Sequence, residues 1–388
     1  MIKISILKKL LKKKIKVYFI AQWKQGYIKF IDVVNQMKAD ENIDVRVLAF
    51  PEKISAFPNN EDFYFWYDLF GYVTINSISD GKWFDLEKEK PDYVFIQRPY
   101  NNYLPEQFAT HVLCNYTKLC YIPYAYTLSD LRSVGLPDDF LKTLYFHFAE
   151  NRGEYEYVKD KMITFSGKHY SLNLGYPQLD SELKKIKEPP SAFLKTRNKD
   201  EMKVIYTPRW TIDENLFKST FFEFKDKIIK YFQKNKHLKL VFRPHPLMFD
   251  NYIETNLMTK KEVNDYKKQM KDNIVYDDQG DYFQTFRDAD VLITDYSSII
   301  LDFFILEKPI IICGNNDTEK YTETMNLIEK VSYVASSWEE VVDYLEKLHK
   351  GIDSKKQERK NALDIIKDQN DGEVCKKIID VIKNDYFN

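Results

Sequence analysis

The segment Leu240-Val-Phe-Arg-Pro-His-Pro-Leu247 closes an apolar run with an arginine and a histidine locked between prolines. Proline fixes φ and removes an N–H on either side of His245, so neither strand nor helix continues through it. The imidazole and Arg243 are therefore held at a strand end. A guanidinium offers paired donors to phosphate oxygens, and an imidazole donates to the same group or moves a proton near neutral pH. A second segment, Asp290-Val-Leu-Ile-Thr-Asp-Tyr-Ser-Ser-Ile-Ile-Leu-Asp-Phe303, runs from a buried strand into an apolar helical pattern. Ser297 and Ser298 fall at the N-cap and first turn of that helix, where free N–H groups, the helix dipole and two hydroxyls suit a phosphate or pyrophosphate. Asp295 or Ser297 acting as a cap without a ligand is the alternative, and the two roles are compatible. A third segment, Val204-Ile-Tyr-Thr-Pro-Arg-Trp210, again ends a strand in proline and arginine. Thr294 and Arg209 join the two serines as phosphate-binding candidates. Asp295, Thr207 and Asp302 stand beside them as nucleotide or structural support.

The elements that must position these groups alternate along the chain. An apolar run at 16–21, a helical pattern through Phe30, Val33, Val34 and Met37, and strands at 45–50, 93–97 and 119–122 read as β-α-β units. The stretch 184–203, with Pro189-Pro190 and no apolar period, reads as a linker. The pattern then restarts, with strands expected at 204–207, 238–242, 273–276, 291–294 and 309–313 and a helix through 221–232. Such alternation predicts parallel sheets covered on both faces, and an α/β protein of two Rossmann-like lobes. A ligand cleft between the lobes is expected at the carboxyl ends of the strands. The divisions expected are a basic amphipathic segment at 1–16, an acceptor-side domain at 17–185 and a nucleotide-donor domain at 186–388.

A chain of 388 residues with 58 Lys+Arg against 59 Asp+Glu has no global attraction for nucleic acid, so any basic site is local. Cys114, Cys120, Cys313 and Cys375 lack metal-knuckle or disulfide spacing, which fits a reducing cytoplasm and no metal. No apolar run is long enough to span a bilayer, and the N-terminus lacks a signal-peptide pattern. Residues 1–16 interleave seven lysines with Leu7, Leu10 and Leu11 on one helical face. That segment reads equally as a helix on an anionic membrane surface or as a solvated helix on its own domain. The tyrosine-rich stretches 64–67 and 121–126 read as core, the latter also as a groove lining.

Taken together, Thr294-Asp-Tyr-Ser-Ser298 with its flanking strand and helix, Arg243-Pro-His-Pro246, Tyr206-Thr-Pro208, Gly175-Tyr-Pro177 with Asp180, and Asp371-Gly372 resemble the CDP-glycerol:poly(glycerol phosphate) glycerophosphotransferases of teichoic acid and capsule synthesis. The resemblance covers the C-terminal half well and the N-terminal half in outline. It implies a GT-B-type pair of lobes and an enzyme at the cytoplasmic face of the membrane. It also implies a CDP-polyol donor, no required cofactor, and a hydroxyl acceptor on a lipid-linked or polymeric glycan. It places His245 against the transferring phosphate, Arg243 as charge stabiliser, and Ser297 and Ser298 on the pyrophosphate. The family's Trp-His-Gly-Thr-Pro element is replaced by Tyr121-Ile-Pro-Tyr-Ala-Tyr-Thr127, so the expected N-terminal histidine is absent, and Gln178 stands where arginine is usual. A glycosyltransferase of the same fold using a nucleotide sugar, and a non-catalytic nucleotide-binding scaffold, remain as alternatives at this stage.

Overall fold

The computed structural model describes residues 13–52, 60–128, 130, 135–187, 201–212, 219–278, 282–314, 321–367 and 369–388. Residues 1–12, which carry most of the basic segment, lie outside the described residues, as does most of the linker. The described chain forms two units. One gathers 1–126, 131–181 and 367–388; the other gathers 127–130 and 182–366.

The first unit is built on a seven-stranded parallel sheet. Its strands are β1 (Ile15–Ala21), β2 (Ile43–Ala49) and β3 (Thr74–Asn76), followed after a small hairpin, β4 (Ile78–Ser79) and β5 (Lys82–Trp83), by β6 (Tyr93–Ile96), β7 (Lys118–Tyr121), β8 (Leu144–Ala149) and β9 (Tyr170–Asn173). The order is β3-β2-β1-β6-β7-β8-β9, so the topology reverses between β1 and β6. The strands are apolar on both faces because helices cover both, as the uninterrupted burial of Tyr93–Ile96 shows.

The second unit holds β10 (Met202–Thr207), β11 (Leu238–Phe242), β12 (Ile274–Tyr276), β13 (Val291–Asp295), β14 (Ile310–Cys313) and β15 (Tyr333–Ala335), all parallel, in the order β12-β11-β10-β13-β14-β15. This is the Rossmann order, with its reversal between β10 and β13. The helix Phe221–Lys234 buries Phe221, Phe224, Ile228 and Phe232, spaced to share one face, against Val204, Tyr206, Leu240 and Phe242. The sequence-based strands at 204–207, 238–242, 291–294 and 309–313 match these to within two residues.

Residues 367–388 depart from the expected division. The helix Val374–Phe387 belongs to the first unit, not to a domain running from 186 to 388. Its Asp385 accepts hydrogen bonds from Lys118 Nζ and Tyr145 OH, both at 2.6 Å, and from Tyr93 OH, while Lys383 pairs with Asp40 at 2.7 Å. The start of the helix is fastened by Asp180, whose carboxylate accepts from Gly372 N at 2.7 Å and Val374 N at 3.1 Å. Gly175, at φ +96°, lies so close to this joint that a Cβ would meet Gln369 O and a Val374 methyl at 2.7 Å. Thus Gly175-Tyr-Pro177, Asp180 and Asp371-Gly372, distant in sequence, make one mechanical joint within the first unit. The aromatic cluster expected in the core divides: Trp66 is fully buried, whereas Tyr64 and Tyr67 are exposed.

Candidate functional site

In the second unit, β10, β11, β12 and β13 deliver their carboxyl ends to one edge of the sheet, at the reversal in strand order. Asp295, the last residue of β13, is the hub there. Its carboxylate accepts from Arg209 N at 2.8 Å, Ser219 Oγ at 3.3 Å and Thr220 N at 3.2 Å, and also from Thr220 Oγ1. Burial pushes this carboxyl above the ordinary range, and the converging donors pull the other way. Asp295 therefore ties the loops after β10 and before the helix Phe221–Lys234 to the end of β13. Thr207 and Thr294 lie beneath it, with Thr207 Oγ1 donating to Thr294 Oγ1 at 2.8 Å. Thr294 is fully buried. It belongs to the packed floor, which corrects its expected place among the phosphate-binding groups: a hydroxyl with no exposure and local partners has nothing to offer a ligand.

Above this floor Arg209 donates to Tyr296 O at 2.7 Å, which sets its guanidinium over the loop leading to Ser297 and Ser298. Ser298 is exposed and occupies the N-cap of Ile299–Phe304 with an α-region backbone and no side-chain capping bond. Neither serine hydroxyl has a hydrogen-bond partner among the described residues. The capping-only alternative therefore loses its footing. The helix itself has only six residues, so its dipole is weaker than the sequence pattern suggested.

Arg243 is held from two sides. Its Nη1 donates to Asp277 Oδ2 at 2.8 Å, with side-chain exposures of 11% and 1%, and its guanidinium lies 5.5 Å from the Tyr282 ring centroid. Thr285 Oγ1 donates to the same Asp277 oxygen at 2.9 Å. Tyr282 in turn donates to Asp302 Oδ2 at 2.7 Å, and burial pushes the Asp302 carboxyl up to about 7 while Tyr282 and Glu182 hydrogen-bond to it. Asp302 is thus engaged by Tyr282 and Glu182 within the scaffold. Asp277, Thr285 and Tyr282 escaped the sequence reading, because a lone acid after a three-residue strand carries no pattern.

His245 has a defined tautomer. The Leu247 N–H donates to its Nδ1 at 3.2 Å, so Nδ1 is the acceptor and the neutral ring carries its proton on Nε2. Burial, with the Arg209 cation second, lowers its pKa to about 4. The ring lies 5.8 Å from that of Trp210, and the His245 N–H reaches Pro208 O at 3.4 Å. At neutral pH this imidazole is a hydrogen-bond donor. Among the described residues no group of three or more His, Cys, Asp or Glu side chains could hold a metal ion, and no helix is long and apolar enough to cross a membrane. A cavity of about 300 Å³ lies at the opposite edge of the sheet, by Met202, Asp290 and Pro309, away from these groups.

Two histidines of the first unit are engaged with neighbouring side chains. His147, fully buried, has Nδ1 3.0 Å from Ser171 Oγ and Nε2 3.0 Å from Glu154 Oε1, whereas exposed His111 pairs with Glu106.

Against known proteins, the profile of the CDP-Glycerol:Poly(glycerophosphate) glycerophosphotransferase family matches residues 152–384, more than half of the chain. The teichoic acid poly(glycerol phosphate) polymerase of Bacillus spizizenii (strain ATCC 23059 / NRRL B-14472 / W23) is 28% identical over 153 residues, 38% of this chain and 36% of that protein. The matched stretch thus spans about a third of that curated relative. Among solved structures, the wall teichoic acid polymerase TagF superposes with a TM-score of 0.56 at 15% identity, covering 98% of this chain and 95% of that one. The UDP-GlcNAc 2-epimerase from Neisseria meningitidis bound to UDP-GlcNAc gives 0.64 at 13% identity, covering 95% and 99%. At such identities the likeness speaks for the fold, a pair of GT-B-like Rossmann lobes.

Proposed function

The chain belongs to the CDP-glycerol:poly(glycerophosphate) glycerophosphotransferase family, and from that premise we propose that it transfers a polyol phosphate from a CDP-activated donor to a hydroxyl of a surface polymer or its lipid-linked precursor. The observation that carries the reading is the edge of the second sheet, where Arg209, Arg243, the Nε2–H of His245 and two free serine hydroxyls stand on a rigid acidic scaffold. The acceptor oxygen attacks the phosphorus that bears the polyol, the P–O–P bridge breaks with its electron pair going to the departing CMP, and the hydroxyl proton passes to solvent. Phosphoryl transfer asks the protein mainly for positioning and charge stabilisation. His245 donates to a phosphoryl oxygen as charge moves to it, Arg243 and Arg209 offset the negative charge, and Ser297 and Ser298 hold the pyrophosphate. The donor is the only small molecule this reading requires. Its acceptor lies at the inner membrane face, where the lysines of residues 1–16 favour an anionic surface. Offering the purified chain a panel of CDP-polyols and nucleotide sugars with a polyol phosphate acceptor tests the reading. CMP release from a CDP-polyol supports it, and a nucleoside diphosphate released from a sugar nucleotide replaces it with glycosyl transfer.

A further inference from the structure

The first unit has its own cluster at the point where its strand order reverses. Gln97, just beyond β6, joins the two strand ends: its Oε1 accepts from Gln22 N at 2.8 Å and Trp23 N at 2.6 Å, and its Nε2 donates to Trp23 O at 2.6 Å. A Cβ on Gly26 would sit 2.9 Å from that Nε2, so the turn after β1 is closed around the amide. Lys29, fully buried, donates to Gln97 O at 2.8 Å and to Ile122 O at 2.9 Å, which binds the loop after β7 to the same frame.

This frame holds Arg98, Tyr100 and Tyr124. The two phenol oxygens are 3.2 Å apart. The Arg98 guanidinium lies 4.4 Å from the Tyr103 ring centroid and 5.7 Å from that of Trp23, and its Nη2 donates to Gln22 Oε1 at 2.9 Å. That neutral amide is its one hydrogen-bond partner among the described residues, and none of their carboxylates lies within ion-pair distance. Glu52 acts on it only from beyond contact distance, and a half-buried guanidinium with no carboxylate in contact is costly to maintain unless an anion visits it. Burial also raises the Tyr124 hydroxyl above its ordinary range, so it stays protonated and donates; it is not a base. The cluster is thus rich in donors, rimmed by aromatic rings and placed at the carboxyl ends of parallel strands, where ligands bind. Tyr124 lies in the segment where the family resemblance places a histidine.

We propose that Arg98 with the Tyr100–Tyr124 hydroxyl pair is a phosphate-binding subsite that takes the phosphate group of a polyol phosphate acceptor. The inference rests on the transfer reading for its acceptor, and on the geometry for its anion. The full chain is titrated calorimetrically with glycerol 3-phosphate while CMP is kept saturating, and separately with CMP. Arg98→Gln should weaken glycerol 3-phosphate about ten- to hundredfold, the range for losing a hydrogen bond to a charged group, and leave CMP affinity within about twofold. Tyr124→Phe keeps the ring that contacts Trp23 at 5.5 Å and should weaken glycerol 3-phosphate several-fold; it decides the matter if Arg98→Gln does not fold. Absence of glycerol 3-phosphate binding to the unmutated chain, or unchanged affinity in the folded variants, overturns the proposal. Loss of CMP affinity in place of glycerol 3-phosphate affinity assigns the anion to the nucleotide and overturns it as well. If no CDP-polyol is turned over, the transfer reading fails, yet Arg98-dependent glycerol 3-phosphate binding, measured without CMP, still upholds the anion subsite.

Discussion

Replacing Asp277 by alanine removes the carboxylate to which Arg243 Nη1 donates at 2.8 Å while leaving the guanidinium in place. With side-chain exposures of 11% and 1%, the pair is buried, and breaking such a pair from one side costs about 3–5 kcal/mol because the remaining buried charge loses this partner. Asp277→Ala also strips the acceptor of Thr285 Oγ1, 2.9 Å away, which adds about 1 kcal/mol. Asp277→Ala should therefore lower the urea midpoint of the second unit markedly, and turnover should fall as Arg243 loses its fixed position. The companion variant Arg243→Met/Asp277→Leu exchanges the pair for apolar groups and should recover most of the stability. Turnover in that variant should stay at the level of Arg243→Met alone. Urea denaturation followed by tryptophan fluorescence gives the stability, and CMP release gives the activity. If Asp277→Ala leaves both unchanged, Arg243 is not positioned by this carboxylate; if the double variant regains activity with its stability, Arg243 takes no part in the chemistry.

His245→Ala should keep the fold and lower kcat by about two to three orders of magnitude, the scale for removing one donor from a developing charge. His245→Gln, which can present an N–H near the Nε2 position, should recover part of that loss, whereas no recovery would mean proton transfer. Because the folded-state pKa of His245 is depressed to about 4, its contribution to stability is full above the ordinary value near 6.5 and is lost as pH falls towards 4. Turnover should accordingly show no inflection from His245 between pH 6.5 and 8, and an inflection there that vanishes in His245→Gln contradicts this. Ser297→Ala/Ser298→Ala should raise the donor dissociation constant about tenfold or more with little change in melting temperature, since neither hydroxyl bonds to another of the described residues; an early-melting variant with normal donor affinity reverses that. Asp385→Ala should destabilise the first unit, by releasing Tyr93, Lys118 and Tyr145 from the C-terminal helix, without changing CMP affinity; an unchanged melting temperature refutes the clasp.

The sequence made the second unit legible because its strands are long and apolar and end in proline or serine, which mark both the element and the residues beyond it. Arg209, Arg243, His245, Ser297 and Ser298 were all singled out as candidates through those strand ends. What lay beneath them was not visible. Asp277 follows a three-residue strand, Tyr282 precedes a six-residue helix, and the buried state of Thr294 depends on packing across β10 and β13, which no local pattern encodes. In the first unit β8 reads Leu-Tyr-Phe-His-Phe-Ala, with a histidine set between Glu154 and Ser171, and β9 is a half-buried four-residue strand. Neither produced a strand expectation. The return of the C-terminal helix to the first unit rests on long-range bonds of Asp180, Asp385 and Lys383, which an uninterrupted reading along the chain does not reveal.

The central claim concerns which bond of the donor breaks, and an isotope decides it. CDP-glycerol labelled with ³³P only at the phosphorus that bears glycerol is incubated with the full chain and a polyol phosphate acceptor, and nucleotide and polymer are then separated. Transfer of the polyol phosphate predicts that the label moves into the polymer and that unlabelled CMP appears in equal amount. Label retained on a released nucleoside diphosphate, with glycerol alone transferred, contradicts it.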